Sequence, residues 1–260
     1  MKPKLHLVTN CLNDFTGEDY DAAVQQVAEI GYAGVEIGHR MPEGVTDEQA
    51  ARAIERAGLE VAAMSRGAQL AFGGSARSVV DAMNLFGCKH LTFGSTTFLS
   101  RGPFRRKSQI ETTCGVINET LYAAREWGDF RVGVHNHEAE FALFEDRPVL
   151  DIMLEHLDPE VFLLLDTYWA QTAGADVAAF LDRAGDRVRG VHVKDGPCRR
   201  GEPNTAVGAG VMDWSEVLPA AERAEWFSVE IEGLDSETAL KAAVASYAYL
   251  IGEGFAEGNR

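Results

Sequence analysis

The feature that most constrains this chain is an alternation of hydrophobic period, repeated eight times along 260 residues. Runs with strand character, "KLHLVTN", "GVEIGH", "LEVAAMS", "HLTFGS", "RVGVHNH", "VFLLLDTYW", "VRGVHVKD" and "WFSVEIE", are each followed by a stretch with apolar residues at helical spacing. The helical stretches are "DYDAAVQQVAEIG", "TDEQAARAIERAG", "SARSVVDAMNLFG", "SQIETTCGVINETLYAAREWG", "RPVLDIMLEHL", "DVAAFLDRAG", "DWSEVLPAAERA" and "SETALKAAVASYAYLIG". Several close on Gly, where a helix stops in a left-handed cap. Parallel strands need crossovers of this length, and eight strand–helix units in about 250 residues is the size of a closed (β/α)8 barrel. An open doubly wound sheet shares the local pattern but usually has a Gly-rich phosphate loop after its first strand, and "VTNCLNDFTGED" is not one. No linker or low-complexity stretch interrupts the series. The expectation is one TIM-barrel domain over residues 1–260.

Charge narrows the partners. A formal charge of −16 repels phosphate backbones and anionic lipid, so neither nucleic acid nor a membrane is expected as a partner. "VFLLL" is the longest aliphatic run, far short of a membrane span, and "MKPKLHLVTNCLND" meets His, Asn and Asp before a signal-peptide core develops. Cys11, Cys88, Cys114 and Cys198 lack CxxC or zinc-finger spacing. A cytoplasmic protein with free thiols is the expectation, with a homo-oligomer left open.

Barrel enzymes place their chemistry at the C-terminal ends of the strands. Here the strand starts are apolar and the ends ionisable: Glu36, His135, His137, Asp166, His192, Lys194, Glu230 and Glu232. Period-2 alternation sets His135 with His137, His192 with Lys194, and Glu230 with Glu232 on common faces. His, Asp, His and Glu around one mouth make a ligand set for a divalent ion: Mn²⁺, Co²⁺, Zn²⁺ or Mg²⁺. Each residue also has a plainer reading: a strand His as a hydrogen-bonded structural residue, Asp166 as a helix N-cap, Glu230 as half of an ion pair. Ionised groups inside a barrel are costly unless paired or metal-bound, and their concurrence on four strand ends favours the metal.

"GYAGVEIG", "HNHEAEF", "LLLDTYWAQTAGAD", "VRGVHVKDG", "GAGVMDW" and "WFSVEIE", in this order, resemble the xylose isomerase-like barrels called the sugar phosphate isomerase/epimerase family, which includes inosose dehydratases and tagatose-type epimerases. The resemblance spans essentially the whole chain. It implies a divalent metal held by Asp166, His192 and Glu230, with His135 at the strand-five position where many members carry Glu, and His137 lining the pocket. Trp169 stands where many members have His. Losing one of two opposed glutamates leaves Glu230 as the strand-end carboxylate. Inosose dehydratases are similar in a His-rich strand five and an eighth strand ending like "VEIE", so a dehydratase or lyase stands beside an isomerase or epimerase.

All three reactions begin by removing a proton beside a carbonyl, with a metal stabilising the charge that develops on oxygen. Glu230, Glu140 and His137 are the candidate bases and acids, with Lys194 polarising oxygen. Glu36, Trp169, Arg199 and Arg200 are expected to contact a small sugar, keto-sugar or polyol-derived ketone. Arg105 and Arg106 in "RGPFRRK", like the pair in "CRRGE", are candidate phosphate or carboxylate contacts or else solvated loop edges. Phe15, Phe72, Trp169 and Trp214 are candidate apolar walls or core. An endonuclease IV-like phosphodiesterase shares the barrel by resemblance, but that group needs more His and Glu ligands and an anionic substrate. A non-catalytic sugar-binding relative is the remaining alternative.

Overall fold

Every one of the eight strand runs forms a strand: β1 Lys4–Val8, β2 Gly34–Ile37, β3 Glu60–Met64, β4 His90–Phe93, β5 Arg131–His135, β6 Phe162–Asp166, β7 Val188–Val193 and β8 Trp226–Val229. The computed structural model describes residues 2–71 and 75–259. Each strand pairs in parallel with its sequence neighbours and β8 returns to β1, so the sheet closes into a barrel. The connections carry the expected outer helices, among them Gly17–Ile30, Asp47–Arg56, Lys107–Trp127 and Ser236–Gly252. Several helix starts are capped by side chains. Thr46 and Gln49 form a reciprocal capping box, and the carboxylates of Asp176 and Asp235 accept from Ala179 N and Thr238 N at 2.9 Å.

Strand alternation sorts the side chains into two cores. Leu163, Leu165, Val191, Val193, Phe227 and Val229 point outward and pack with the helices in the main cluster. Each fully buried Val or Leu there contributes about 1.5–3 kcal/mol. The intervening residues point into the lumen, where Ala63, Phe162, Leu164 and Trp226 form a separate apolar cluster. Large rings fit there because glycines oppose them. A Cβ on Gly133 would lie 2.4 Å from the Phe162 ring, and one on Gly190 would lie 2.3 Å from Trp226.

Along the same inward-facing rows the chemistry changes from apolar to polar. Phe162 and Leu164 lead to Asp166 on β6, Gly190 to His192 and then Lys194 on β7, and Trp226 to Ser228 and then Glu230 on β8. The lumen is thus plugged at the N-terminal end and ionisable at the C-terminal end. One-turn helices leave several of these strand ends directly, including Thr97–Ser100 after β4, Glu138–Phe141 after β5 and Thr167–Thr172 after β6. A short hairpin, Leu143–Phe144 with Arg147–Pro148, follows the second of them. Such elements are too short to show a helical period in sequence. Among the described residues no helix is long and apolar enough to cross a membrane.

Candidate metal centre

His135 closes β5, Asp166 closes β6, His192 lies within β7, and Glu230 follows β8 directly. One donor atom from each lies within 4.8 Å of the other three, and all four side chains are buried. Neighbouring groups aim these donors. His192 Nε2 is 2.8 Å from Glu36 Oε1. A carboxylate only accepts, so the proton sits on Nε2 and the lone pair of a neutral ring is on Nδ1, facing the cluster. His135 Nδ1 lies 3.4 Å from the Leu164 carbonyl, which likewise leaves Nε2 for the site. Asp166 divides its labour: Oδ1 accepts from Trp169 N at 2.8 Å as a helix cap, while Oδ2 is buried without a hydrogen-bond partner. The cap reading and the ligand reading therefore use different atoms of one residue.

Three inward atoms share this unpartnered condition: Asp166 Oδ2, His192 Nδ1 and Glu230 Oε2. The last two are 2.9 Å apart but outside hydrogen-bond geometry. Lys194 Nζ, 3.4 Å from Asp166 Oδ2 and 3.2 Å from Glu230 Oε2, offsets part of their charge, but none of the three atoms has a hydrogen bond, and a shared cation would satisfy all of them. Two nitrogens and two carboxylate oxygens fit a divalent ion of the Mn²⁺, Co²⁺, Zn²⁺ or Mg²⁺ group.

The protonation states follow from the surroundings. Burial holds His135 well below the usual histidine range, and the neighbouring His192 and His137 push the same way, so the ring is neutral. Burial opposes charge on His192, but Glu36 and Glu230 outweigh it and raise the imidazole well above its usual value, so a proton on Nδ1 holds the place that a metal cation would take, and the neutral ring with its Nδ1 lone pair is the metal-bound form. Burial also opposes charge on Glu230, yet Lys194 and His192 keep its carboxyl well below the usual range. Asp166 is raised, because burial outweighs the Lys194 ammonium beside it. Lys194 Nζ sits 2.7 Å from Glu232, 3.2 Å from Glu230 and 3.4 Å from Asp166.

A cavity of about 470 Å³ opens over the cluster. Its wall includes His137, Trp169, Arg200, Glu230 and Glu232. His137 Nδ1 is buried without a partner, and Trp169 packs near both His137 and the Lys194 ammonium. Other expected contacts are placed differently. Glu140 is fully buried and not on the wall: Oε1 accepts from the Thr96 hydroxyl and Oε2 from His137 N, so it braces the turn and is no candidate base. Glu36 borders the cavity, and both its oxygens are engaged within the protein, by His192 and Ser228. Lys194 is buried among three carboxylates off the cavity wall, where its ammonium neutralises them. Arg199 is exposed beside Glu202, away from the wall, and Arg105 and Arg106 are exposed at the start of the Lys107–Trp127 helix. Trp214 is core, donating from Nε1 to Asp195 at 2.8 Å, and Phe15 packs on the main cluster. Phe72 lies outside the described residues.

Several residues escaped the sequence reading. Asn10 Nδ2 donates to Glu230 Oε1 at 3.1 Å. Asn136 joins β5 to β6 through both Asp166 backbone groups, at 2.9 and 3.0 Å. Glu138, His39 and the exposed Phe98 line the cavity, and Glu138 pairs with Arg200 at 3.0 Å. The middle residue of "HNH" and the first Glu of "HEAE" were visible as polar strand-end positions, and so were Asn10 and His39, which close the runs "KLHLVTN" and "GVEIGH".

A closed parallel barrel with a polar cluster at the C-terminal mouth has the architecture of a barrel enzyme. The chain belongs to the xylose isomerase-like TIM barrel family, whose model matches residues 24–250. Among curated proteins it is similar to an inosose dehydratase of Mesomycoplasma hyopneumoniae, 25% identical over 198 residues, which is 68% of this chain and 62% of the relative. It thus spans less than two thirds of that relative's length. Among solved structures it is similar in fold to a sugar phosphate isomerase/epimerase of Parabacteroides distasonis (TM-score 0.80, 18% identity, 99% of this chain and 96% of the other). It is also similar to IOLI protein with a bound zinc atom (TM-score 0.73, 14% identity, 97% of this chain and 99% of the other).

Proposed function

We propose that this chain is a divalent-metal-dependent isomerase or epimerase that moves a proton at the carbon next to the carbonyl of a small ketose, keto-sugar or polyol-derived ketone. The observation that carries this reading is the set of three unpartnered buried donor atoms, on Asp166, His192 and Glu230, facing one another beside His135 beneath the cavity. The bound zinc of the structurally similar IOLI protein and the sugar-directed names of the relatives support it.

His135, Asp166, His192 and Glu230 would hold the ion, which when bound supplies Lewis-acid polarisation of a carbonyl and a neighbouring hydroxyl. The chain's own residues do the rest. Glu230, kept anionic by Lys194 and His192 and steadied by Asn10, takes the proton from carbon. His137, whose ring lines the cavity wall, exchanges a proton at the opposite side of the substrate. Trp169 gives the C–H face of a sugar an apolar surface and excludes water. Return of the proton to the other face of the same carbon gives an epimer, and to the neighbouring carbon an isomer.

A second reading is β-elimination, as in an inosose dehydratase, where the same proton removal is followed by departure of a β-hydroxyl as water. The similarity to that enzyme and the presence of Glu138 beside His137, as a second group able to protonate the departing oxygen, favour it. The test is metal analysis of the purified protein followed by NMR in D₂O with ketoses, inososes and 3-keto sugars. Deuterium entering the α-carbon without loss of water supports isomerisation or epimerisation, and an enone product supports elimination. A metal-loaded protein that exchanges no α-proton in any of them overturns both.

A further inference from the structure

We propose that the substrate of this site is an uncharged polyhydroxy ketone and not a sugar phosphate, because the first turn of the Ser236–Gly252 helix, Arg200 and Lys194 are each engaged by the protein's own carboxylates. The inference rests on the keto-sugar reading above and deepens it.

Barrels commonly seat phosphate in the loops after the last two strands, against backbone N–H groups at a helix N-terminus. The long helix after β8, Ser236–Gly252, has its N-terminus on that face. Its first donors are taken: Ser236 N gives to Asp14 Oδ2 at 2.9 Å, and Thr238 N gives to Asp235 Oδ1 at 2.9 Å. A phosphate there would meet two carboxylates. The β7 loop supplies one arginine on the cavity wall, Arg200, and its guanidinium lies 3.0 Å from Glu138 Oε1. Lys194, the buried ammonium nearest the centre, is shared among Asp166, Glu230 and Glu232 and is off the cavity wall. The wall instead carries the hydroxyls of Ser65, Ser95 and Thr97, the last two 2.8 Å apart and each with lone pairs to spare, beside the carboxylates of Glu138 and Glu232. A formal charge of −16 adds a long-range field that disfavours a dianion. Hydroxyls both donate and accept, so a polyol satisfies this wall where a phosphate ester, an acceptor at neutral pH, does not.

Glu138 is then the residue that withholds Arg200 from anions, and its removal should change the preference. The experiment is calorimetry on the Mn²⁺-loaded protein with matched probes, D-fructose and D-ribulose beside D-fructose 6-phosphate and D-ribulose 5-phosphate, for the wild type and Glu138→Gln. In the wild type the parent ketoses should bind at least tenfold more tightly than their phosphates. In Glu138→Gln the phosphates should gain at least tenfold over their wild-type affinity. A phosphate that binds the wild type more tightly than its parent overturns the proposal. If the wild type binds none of the probes, the gain in Glu138→Gln decides: its presence supports the proposal and its absence overturns it. α-Proton exchange in the same samples reads the catalytic assignment separately, since binding order is measured whether or not exchange occurs.

Discussion

Glu36 on β2 accepts a hydrogen bond from His192 Nε2 across the barrel lumen, at 2.8 Å, while Ser228 donates to its other oxygen at 2.7 Å. This relationship decides which nitrogen of His192 faces the cluster. It also means that both oxygens of this strand-end glutamate, which borders the cavity, are already engaged by the protein.

Replacing Glu36 should therefore act on metal affinity. Partners that orient a ligating histidine typically account for a 10–100-fold change in affinity. Glu36→Ala is expected to weaken Mn²⁺ or Zn²⁺ binding by about that factor in a chelator competition, and Glu36→Gln, which can still accept from Nε2, by less. Equal affinities in all three proteins would show that Glu36 does not set the donor on His192.

Asp166 serves as cap and as donor through different oxygens, and two substitutions separate the roles. Asp166→Asn keeps an acceptor for Trp169 N and should cost little stability, yet the loss of a charged oxygen should strongly reduce bound metal. Asp166→Ala removes both, adding about 1 kcal/mol of lost capping to the loss of metal. Urea unfolding of the metal-free proteins with metal analysis of the loaded ones measures the two effects. Stoichiometric metal in Asp166→Ala, or in an Asp166→Ala, His192→Ala double variant, would refute the ligand assignment.

At the opposite end of the barrel, Glu60 accepts from Lys4 Nζ at 2.6 Å and lies 3.0 Å from His6 Nε2. The bond with His6, helped by Lys4 and opposed by partial burial, lowers its pKa from 4.5 to about 2. A carboxyl depressed in the folded state stabilises the fold fully above its unfolded value, and that stability is lost as pH falls from about 4.5 through about 2. Glu60→Gln should therefore be less stable than the wild type near neutrality, with the gap narrowing through this acid window. Because the side chain is partly exposed, salt should shrink the difference as well. Urea midpoints of the two proteins that stay a constant distance apart from neutral pH to about pH 2.5 would contradict the assignment.

The barrel was legible because each strand carries its own period and each crossover its own helix, so no long-range information was needed to count them. The convergence of His135, Asp166, His192 and Glu230 was also readable in outline, since strand ends of a closed barrel meet at one mouth. Which oxygens remain free was not. The partners that occupy Glu140 and Glu36 are Thr96, His192 and Ser228, separated from them by 44, 156 and 192 residues. No local pattern reports such pairings. The exchange of importance between Glu140 and Glu138 has a similar cause: a one-turn helix turns Glu138 outward to the cavity and Glu140 inward to Thr96.

The last prediction concerns the proton itself. Glu230 is the carboxylate closest to the cluster that also lies on the cavity wall, and Asn10 holds its Oε1 at 3.1 Å. Lys194 and His192 keep it charged despite burial, which makes it an acceptor at neutral pH but also a weak base. A weak base removes a carbon-bound proton usefully only when the developing charge on oxygen is stabilised at the same moment, which ties its action to the metal. Glu230→Gln retains the shape, the bond from Asn10 and one oxygen donor, but cannot accept the proton. General-base contributions are typically about 10²–10⁴-fold. The variant should bind metal with a moderate loss of affinity while α-proton exchange, followed by NMR in D₂O, slows by at least about 100-fold. If it keeps its metal and exchanges at the wild-type rate, Glu230 is not the base, and His137 or Glu138 becomes the group to replace next.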